Sequence, residues 1–116
     1  MNVLVVVKDA PYGTEGAYNA LRLAGSIAKR EGVKLRVFLV GDAAACAKRG
    51  QKVPNGYYNV QQMLTAVVQR GGTVGVCGSC MDGRGISESE LVEGTARSTL
   101  EEWTTWTLEA DKVVTF

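Results

Sequence analysis

The stretch Val3-Leu-Val-Val-Val7 is an uninterrupted aliphatic run close to the start of the chain. Continuous rather than alternating hydrophobicity is typical of a strand that is covered on both faces, as in a parallel sheet. Similar short runs predict strands at 34–40, 73–77 and 113–116, and the segment 93–97 is compatible with one more short strand. The aliphatic run therefore indicates a buried, mostly parallel sheet.

Helices are predicted between these strands because apolar residues recur there at helical spacing. The first follows Thr14, which can cap it, and is stopped by Gly32. A short alanine-rich helix opens at Gly41, and a third helix covers 60–70. The last helix opens on a capping box, Ser98-Thr-Leu-Glu101.

The order of these elements, β-α-β-α-α-β-α-β, predicts an α/β fold. Strands that alternate with helices imply right-handed crossovers and a mostly parallel sheet of four to five strands with helices on both faces. A chain of 116 residues fits one domain, so residues 1–116 are expected to form a single domain.

Composition and charge exclude several classes of function. Hydrophobic residues make up 46% and charged residues 22% of the chain, with a net charge of +1, which is ordinary for a globular protein. Basic residues are scattered rather than arranged in a stripe, so no nucleic-acid partner is expected. No stretch approaches the roughly 20 apolar residues of a membrane span, and no secretory signal is visible. We therefore expect no membrane partner and a cytoplasmic location.

A Cys-Gly-Ser-Cys sequence at Cys77 and Cys80 is the strongest candidate for chemistry. Cys77 falls at the end of a predicted strand, and ligands of open α/β sheets sit beyond the carboxyl ends of the strands. Amides at the start of the next helix, close backbone approach at Gly78 and a positive charge from Arg84 would each favour a thiolate. A thiolate suits sulfur or disulfide exchange, and a second nearby thiol suits a resolving role.

Other roles for the cysteines remain open. A buried cysteine that acts as a small hydrophobic residue is the plain alternative for Cys77, and we assign that role to Cys46. Structural zinc needs a full tetrahedral ligand set, whereas the chain has 3 cysteines and no histidine, so no metal is expected unless a second subunit contributes. A thioredoxin-like site is disfavoured because the pair follows the third strand and no proline lies between or after the cysteines.

Several other groups lie in predicted loops, where surface or packing roles are the simpler interpretation. Gly13-Thr-Glu-Gly16 could form an anion-binding turn, but it matches neither phosphate-loop motif. Of Trp103 and Trp106, we expect one in the core and the other in an oligomer interface. The loop carboxylates that could accept a proton, and the tyrosines that could line a pocket, are Asp9, Asp42, Asp82, Tyr12, Tyr18, Tyr57 and Tyr58.

Six segments in fixed order carry a family resemblance along nearly the whole chain. They are 3–7, 16–24, 37–42, 76–85, 90–94 and 110–116. In this order and spacing they resemble the DsrE/DsrF-like family of small sulfur-relay proteins.

The resemblance implies a Rossmann-like, three-layer domain that assembles as a homotrimer or a hexamer. It implies that Cys77 accepts sulfur as a persulfide, that Cys80 matches a second cysteine found in only some members, and that Arg84 and Gly85 end the active loop. Separate protein chains would be the sulfur donor and acceptor, either within a hetero-oligomeric relay complex or around a stand-alone homo-oligomer. No cofactor is implied.

Three functions follow as hypotheses. The leading one is a sulfur carrier or sulfurtransferase that bears a persulfide on Cys77. The second is a redox protein in which Cys77 and Cys80 form a disulfide without sulfur transfer. The third is a non-enzymatic oligomeric scaffold or ligand-binding protein in which the cysteines are incidental.

Overall fold

Five parallel strands form the centre of the computed structural model, which describes residues 1–116. Their order across the sheet is β4-β3-β2-β1-β5, and every neighbouring pair is parallel. The predicted α/β class is confirmed, and the segment compatible with an extra strand does form one. In chain order the strands are β1 (Asn2–Val7), β2 (Lys34–Leu39), β3 (Thr73–Cys77), β4 (Thr95–Ser98) and β5 (Lys112–Thr115).

Four α-helices and two 3₁₀ segments connect the strands. The segment that was expected to form a short alanine-rich helix has 3₁₀ geometry instead. No helix is long and apolar enough to cross a membrane. The helices are α1 (Gly16–Ile27), α2 (Val60–Gln69), α3 (Gly78–Gly83) and α4 (Leu100–Glu109), and the 3₁₀ segments are Gly41–Ala47 and Glu88–Glu90.

The sheet separates two apolar layers of unequal size, because alternate residues of a strand point to opposite faces. The larger layer takes the alternate valines of β1 together with buried residues of α1, α2, α3 and the 3₁₀ segment Gly41–Ala47. The smaller layer consists of Leu4, Val6, Phe38 and Trp106 beneath α4. A single helix therefore covers one face of the sheet, and part of that face stays open.

Trp106 is the buried tryptophan of α4, whereas Trp103 is only partly buried. Trp106 packs against β3 at Gly75, where a Cβ atom would lie only 3.0 Å from the indole ring. The missing Cβ lets α4 approach the sheet closely. The prediction that one tryptophan belongs to the core is confirmed, and the interface role of Trp103 stays a prediction.

The N-terminus of α4 differs from the prediction by one residue. Thr99 is the N-cap, and its Oγ1 accepts a hydrogen bond from the backbone N of Glu102 at 3.1 Å. Ser98 is 4% exposed and donates instead to Oε1 of Glu102 at 2.6 Å. The predicted capping box of Ser98 and Glu101 is wrong, because pairing of β4 with β3 continues through Ser98 and holds it in the strand.

The limits of α1 also differ from the prediction. Glu15 occupies the N-cap position without a side-chain cap, and the Thr14 hydroxyl lies 3.4 Å from the Gly16 amide that donates to it. The helix ends at Ile27, before the turn in which Gly32 adopts a positive φ of 76°. Gly32 therefore belongs to the connection between α1 and β2.

Candidate active site

The chain leaves β3 and β4 toward opposite faces of the sheet. After β3, α3 packs into the larger layer through Met81, whereas α4, after β4, covers the smaller layer through Trp106. Neighbouring strands whose connections diverge in this way open a crevice at their carboxyl ends, which is the usual ligand position in open α/β sheets. Cys77 ends β3 and is paired with Ser98 at the end of β4, so the cysteine pair lies at this crevice.

Cys77 occupies the N-cap position of α3. Its Sγ accepts a hydrogen bond from the backbone N of Cys80 at 3.4 Å and lies 3.5 Å from the Ser79 hydroxyl oxygen. Its side chain packs against the smaller layer. The amide and the hydroxyl can both donate to negative charge on sulfur, which favours the thiolate.

Cys80 lies one helical turn further along and packs against the larger layer. Its Sγ accepts a hydrogen bond from the backbone N of Gly41 at 3.1 Å. Gly41 has a φ of 62°, a left-handed conformation that favours glycine. The Sγ atoms of Cys77 and Cys80 are in disulfide contact. Each sulfur therefore accepts a hydrogen bond from its own backbone amide, and the two sulfurs are close enough to form a disulfide bond.

A cleft of about 460 Å³ opens beside the cysteine pair. Its apolar wall is formed by Phe38, Val40, Leu100 and Trp103, and the rings of Phe38 and Trp103 stack with centroids 4.7 Å apart. Small-molecule sites in proteins commonly occupy roughly 300 to 1,000 Å³. The cleft is therefore large enough for a small ligand. Its polar lining includes Ser79, Arg97, Ser98 and Thr99.

Arg97 is the cation that lies against the start of α3. Its Nη1 and Nη2 donate to Oδ1 and Oδ2 of Asp82 at 2.8 and 2.9 Å. Its guanidinium rests on Gly78, where a Cβ atom would lie 2.8 Å from Nε. The hydrogen bond lowers the pKa of Asp82 and raises the pKa of Arg97, so both groups stay ionised. The positive charge expected from Arg84 is thus supplied at this position by Arg97.

Arg84 lies beside Cys80 rather than beside Cys77. Its Nε and Nη2 donate to Oδ1 of Asp42 at 3.1 and 2.7 Å, and its Nη1 donates to the carbonyl oxygen of Cys80 at 3.1 Å. No hydrogen bond joins Arg84 to Cys77. Arg84 instead ties the end of α3 to the 3₁₀ segment that carries the Gly41 amide.

The loop carboxylates are all engaged within the chain. Asp42 and Asp82 each pair with an arginine, at 2.7 and 2.8 Å. Asp9 accepts a hydrogen bond from the Thr14 hydroxyl at 3.1 Å and occupies the space that a Cβ atom on Gly16 would need. The glycine turn at 13–16 therefore already holds an anion of its own chain.

Cys46 is buried in the larger layer, as its place in an alanine-rich segment predicts. Burial raises the pKa of its thiol to about 12. Its Sγ donates to the Asp9 carbonyl oxygen at 3.8 Å. A thiol so resistant to ionisation is a poor nucleophile at neutral pH. No group of three or more His, Cys, Asp or Glu side chains is placed to hold a metal ion.

The tyrosines gather away from the cysteine cleft. Tyr58 stacks on Tyr18 with ring centroids 4.3 Å apart and on Tyr12 with centroids 5.8 Å apart. Tyr57 is 70% exposed. Tyr12, Tyr57 and Tyr58 border a separate pocket of about 400 Å³. The loop 51–58 contributes no residue to the lining of the cysteine cleft.

Sequence reasoning missed Arg97 and the aromatic wall of the cleft. Phe38 and Trp103 are distant in the chain and meet only because α4 packs over the face of the sheet to which Phe38 of β2 points. Arg97 carried a usable signal. Arg97 ends the segment 93–97, which is compatible with a strand, and such a strand would end near Cys77 if it were placed beside β3.

Comparison with known proteins places the whole chain in one family. Residues 1–116 match the family model described as the DsrE/DsrF-like family. The chain belongs to the DsrE/DsrF-like family. The resemblance stated from the sequence is therefore confirmed.

Relatives of this DsrE/DsrF-like chain align over nearly its full length. Protein YchN of Escherichia coli (strain K12) is 45% identical over 115 residues, which make up 98% of this chain and 97% of YchN. The crystal structure of ychN protein from E. coli has a TM-score of 0.93 to this chain and covers 99% of it and 98% of that chain. The uncharacterized protein MK0008 of Methanopyrus kandleri is 37% identical over 114 residues, covering 98% and 93% of the two chains. The α/β fold is thus shared with a solved DsrE/DsrF-like structure.

Proposed function

We propose that this DsrE/DsrF-like protein is a sulfur carrier or sulfurtransferase that bears a persulfide on Cys77. The observation that carries the proposal is the position of Cys77, which caps α3 at the crevice between β3 and β4 and borders an open cleft. Membership of a family with sulfur-relay members supports the same class of function.

Loading begins with the Cys77 thiolate. Its Sγ attacks the terminal sulfur of a donor persulfide, R–S–SH, and forms a new sulfur–sulfur bond. The old sulfur–sulfur bond breaks, and R–S⁻ leaves with the electron pair. The products are the Cys77 persulfide and the donor thiolate, so the step needs no external oxidant or reductant. The Cys80 amide and the Ser79 hydroxyl are placed to donate to the attacking sulfur.

Unloading has two balanced routes. An acceptor thiolate can attack the terminal sulfur, take it as a persulfide and release the Cys77 thiolate. Alternatively, the Cys80 thiolate attacks Sγ of Cys77, expels hydrosulfide and forms the Cys77–Cys80 disulfide, which a dithiol reductant then reopens. The contact between the two sulfurs supports the second route, and the Gly41 amide can stabilise the Cys80 thiolate.

Mass spectrometry of the reduced protein after incubation with glutathione persulfide tests the proposal. We expect one added sulfur atom, mapped to Cys77. Cys77→Ser should abolish the adduct, whereas the matched control Cys46→Ser should keep it. If Cys77 stays unmodified under conditions that load a known sulfur carrier, the proposal is wrong. If Cys77→Ser also leaves every binding and cellular phenotype intact, the non-enzymatic scaffold or ligand-binding alternative stands.

The second candidate is a dithiol redox protein without sulfur transfer, which the disulfide contact of Cys77 and Cys80 favours. It predicts a reversible disulfide with a reduction potential within the range of cytosolic couples, roughly −180 to −300 mV. Titration in glutathione or dithiothreitol redox buffers measures it. A potential far outside this range, together with persulfide loading of Cys77, would favour sulfur transfer.

We further propose that residues 1–116 act as one domain that assembles into a homotrimer or a hexamer in the cytoplasm. Its partners would be protein sulfur donors and acceptors, with no bound cofactor, nucleic acid or membrane. Leu108 of α4, which lies outside the cysteine cleft, is 81% exposed, and this supports burial of the C-terminal end of the helix in an assembly.

A further inference from the structure

Arg97 has hydrogen-bond donors left after it pairs with Asp82. Asp82 takes one N–H from each terminal nitrogen, and a guanidinium carries several more. Nε donates to no acceptor of the chain. The two side chains are 37% and 63% exposed, so water screens their attraction and the pair is weak. A ligand carboxylate can therefore bind the free donors or displace Asp82.

Gly78 brings this cation to the residue directly after Cys77. A Cβ atom at position 78 would lie 2.8 Å from Nε and 2.9 Å from Nη2 of Arg97. Any side chain there would push the guanidinium away from the backbone. Because Gly78 has no side chain, the guanidinium of Arg97 can lie at the end of the cleft that contains Cys77, where it can bind a carboxylate.

The rest of the cleft suits an apolar, flat group. Trp103 is partly exposed in its wall and stacks on the ring of Phe38, which is only 1% exposed, and Leu100 stands 72% exposed at the same cleft. Aromatic side chains bind flat apolar groups well because they offer a large, rigid contact surface. The cleft contains no carboxylate among its lining residues. Its lining therefore combines one cation with an aromatic wall beside a cysteine.

We propose that this cleft binds a small organosulfur compound that has an aromatic body and a carboxylate. The carboxylate binds Arg97, the ring lies against Trp103 and Leu100, and the sulfur faces Sγ of Cys77. The inference rests on the proposed function of Cys77 and names its sulfur donor as a small-molecule persulfide in place of a protein donor.

Disulfide exchange with three probes tests the selectivity of the cleft. Dithiobis(nitrobenzoate) is an aryl disulfide with carboxylates, dithiodipyridine is a neutral aryl disulfide, and hydroxyethyl disulfide is a neutral alkyl disulfide. In each case the Cys77 thiolate attacks one probe sulfur, a mixed disulfide forms and the other half leaves as thiolate. Cys46→Ala and Cys80→Ser are introduced into the reduced protein so that Cys77 is its only thiol.

The measured quantity is the rate with the carboxylated aryl probe divided by the rate with the neutral aryl probe. A change in the thiolate fraction of Cys77 alters both rates equally and therefore cancels in this ratio. The same ratio is measured with free mercaptoethanol, and dividing by it removes the difference in intrinsic reactivity between the two probes. We expect this corrected ratio to be about ten, whereas a cleft without selectivity would give one. The reason is that Arg97 makes charge-assisted hydrogen bonds only to the carboxylated probe. Trp103→Ala should lower both aryl rates several-fold relative to the alkyl rate.

Two variants move the ratio in opposite directions. Arg97→Gln should lower it about tenfold, and Asp82→Asn should raise it several-fold because Arg97 loses its competing carboxylate. Circular dichroism confirms that each variant is folded. If Arg97→Gln does not fold, Asp82→Asn alone decides. A ratio equal to that of mercaptoethanol and unmoved by either variant overturns the inference and points to a protein donor.

Persulfide loading with inorganic polysulfide separates this inference from the proposed function. Loading of Cys77 without probe selectivity overturns the small-molecule donor and leaves the sulfur carrier standing. Selectivity that depends on Arg97, without any persulfide on Cys77, overturns the sulfur carrier and leaves a cleft that binds aromatic carboxylates.

Discussion

Cys77 and Cys80 have different surroundings although three positions separate them. Cys77 packs against the small layer under α4 and caps α3, whereas Cys80 packs against the large layer and receives the Gly41 amide. Because only Cys80 is tied to a second segment of the chain, it is the more firmly held sulfur. This asymmetry supports a first attack by Cys77 and a resolving role for Cys80.

Cys80→Ser should prolong the life of the Cys77 persulfide. Without the second thiol, hydrosulfide cannot be expelled by disulfide formation, so its release from the loaded protein should slow several-fold. A hydrosulfide-sensitive dye measures the release, with Cys46→Ser as the control that should match the unmodified protein. Equal release from Cys80→Ser and Cys46→Ser would assign unloading to external thiols alone.

Cys46 should make the protein lose stability at alkaline pH. Burial raises its pKa from 9.0 to about 12, so the folded state keeps a proton that the unfolded state releases. The stabilisation is complete below the unfolded value and is lost as pH rises toward the folded value, at about 1.4 kcal/mol per pH unit. Urea unfolding near pH 8 and near pH 10 measures it.

Cys46→Ala is the matched variant for this pH dependence, with Cys77 and Cys80 replaced by serine in both proteins. The variant should be less stable near pH 8 because it loses buried volume. Its stability should then fall less steeply than that of the parent as pH rises above 9.0, the ordinary thiol value. If the unfolding free energies of the two proteins fell equally with pH, Cys46 would not be the source of the pH dependence.

At the scale of elements, the junction of β4 and α4 fixes one side of the cleft. Ser98 is held in the strand, Thr99 caps the helix, and both bond to Glu102. The strand pairing thus decides which residue begins the helix. Arg97 and Leu100, which line the cleft, flank this junction.

Glu102→Ala should destabilise the protein more than Glu101→Ala does. It leaves the buried Ser98 hydroxyl without its acceptor, which costs about 1–2 kcal/mol. Glu101 is exposed and in the same first turn of α4, so its loss should cost less than about 0.5 kcal/mol. Thermal unfolding of the two variants compares them, and equal costs would restore the capping box of Ser98 and Glu101.

At the scale of the whole molecule, the two faces of the sheet are covered unequally, and the face covered only by α4 has the smaller apolar layer. Only four residues form its buried cluster, against 22 in the other layer. The cleft exists because α4 does not cover the carboxyl ends of β2 and β3. The same small layer leaves the apolar side chains of α4 exposed.

Gly75→Ala should cost about 1–3 kcal/mol of unfolding free energy, because the added Cβ would press on Trp106 and force α4 away from β3. Gly83→Ala is the control, since nothing lies within 4 Å of a Cβ atom there. Denaturant unfolding measures both, and a neutral Gly75→Ala would mean that α4 adjusts freely.

Leu108→Glu should break or weaken the proposed oligomer. Leu108 is 81% exposed, so the change should leave the free energy of unfolding of the monomer nearly unaltered while placing a charge in an apolar interface. Light scattering after size exclusion measures the mass. Glu101→Lys, an exposed change at the start of the same helix, serves as the control. An unaltered oligomer mass would locate the interface elsewhere.

The amino-acid sequence by itself determined the elements and their class. The aliphatic run Val3–Val7 predicted a strand covered on both faces, and the apolar spacing in 60–70 predicted a helix, because these periodicities are local. It also placed Cys77 at a strand end and Cys46 in the core. These properties depend on a few neighbouring residues, so a linear pattern carries them.

Tertiary structure alone decided which groups meet at the cysteines. The order β4-β3-β2-β1-β5 put β4 beside β3, and this pairing brought Arg97 rather than Arg84 to the start of α3. Packing of α4 onto Gly75 set Trp103 on Phe38 and so built the cleft wall. Such contacts join residues tens of positions apart, and their formation depends on strand order and layer packing, which no local pattern encodes.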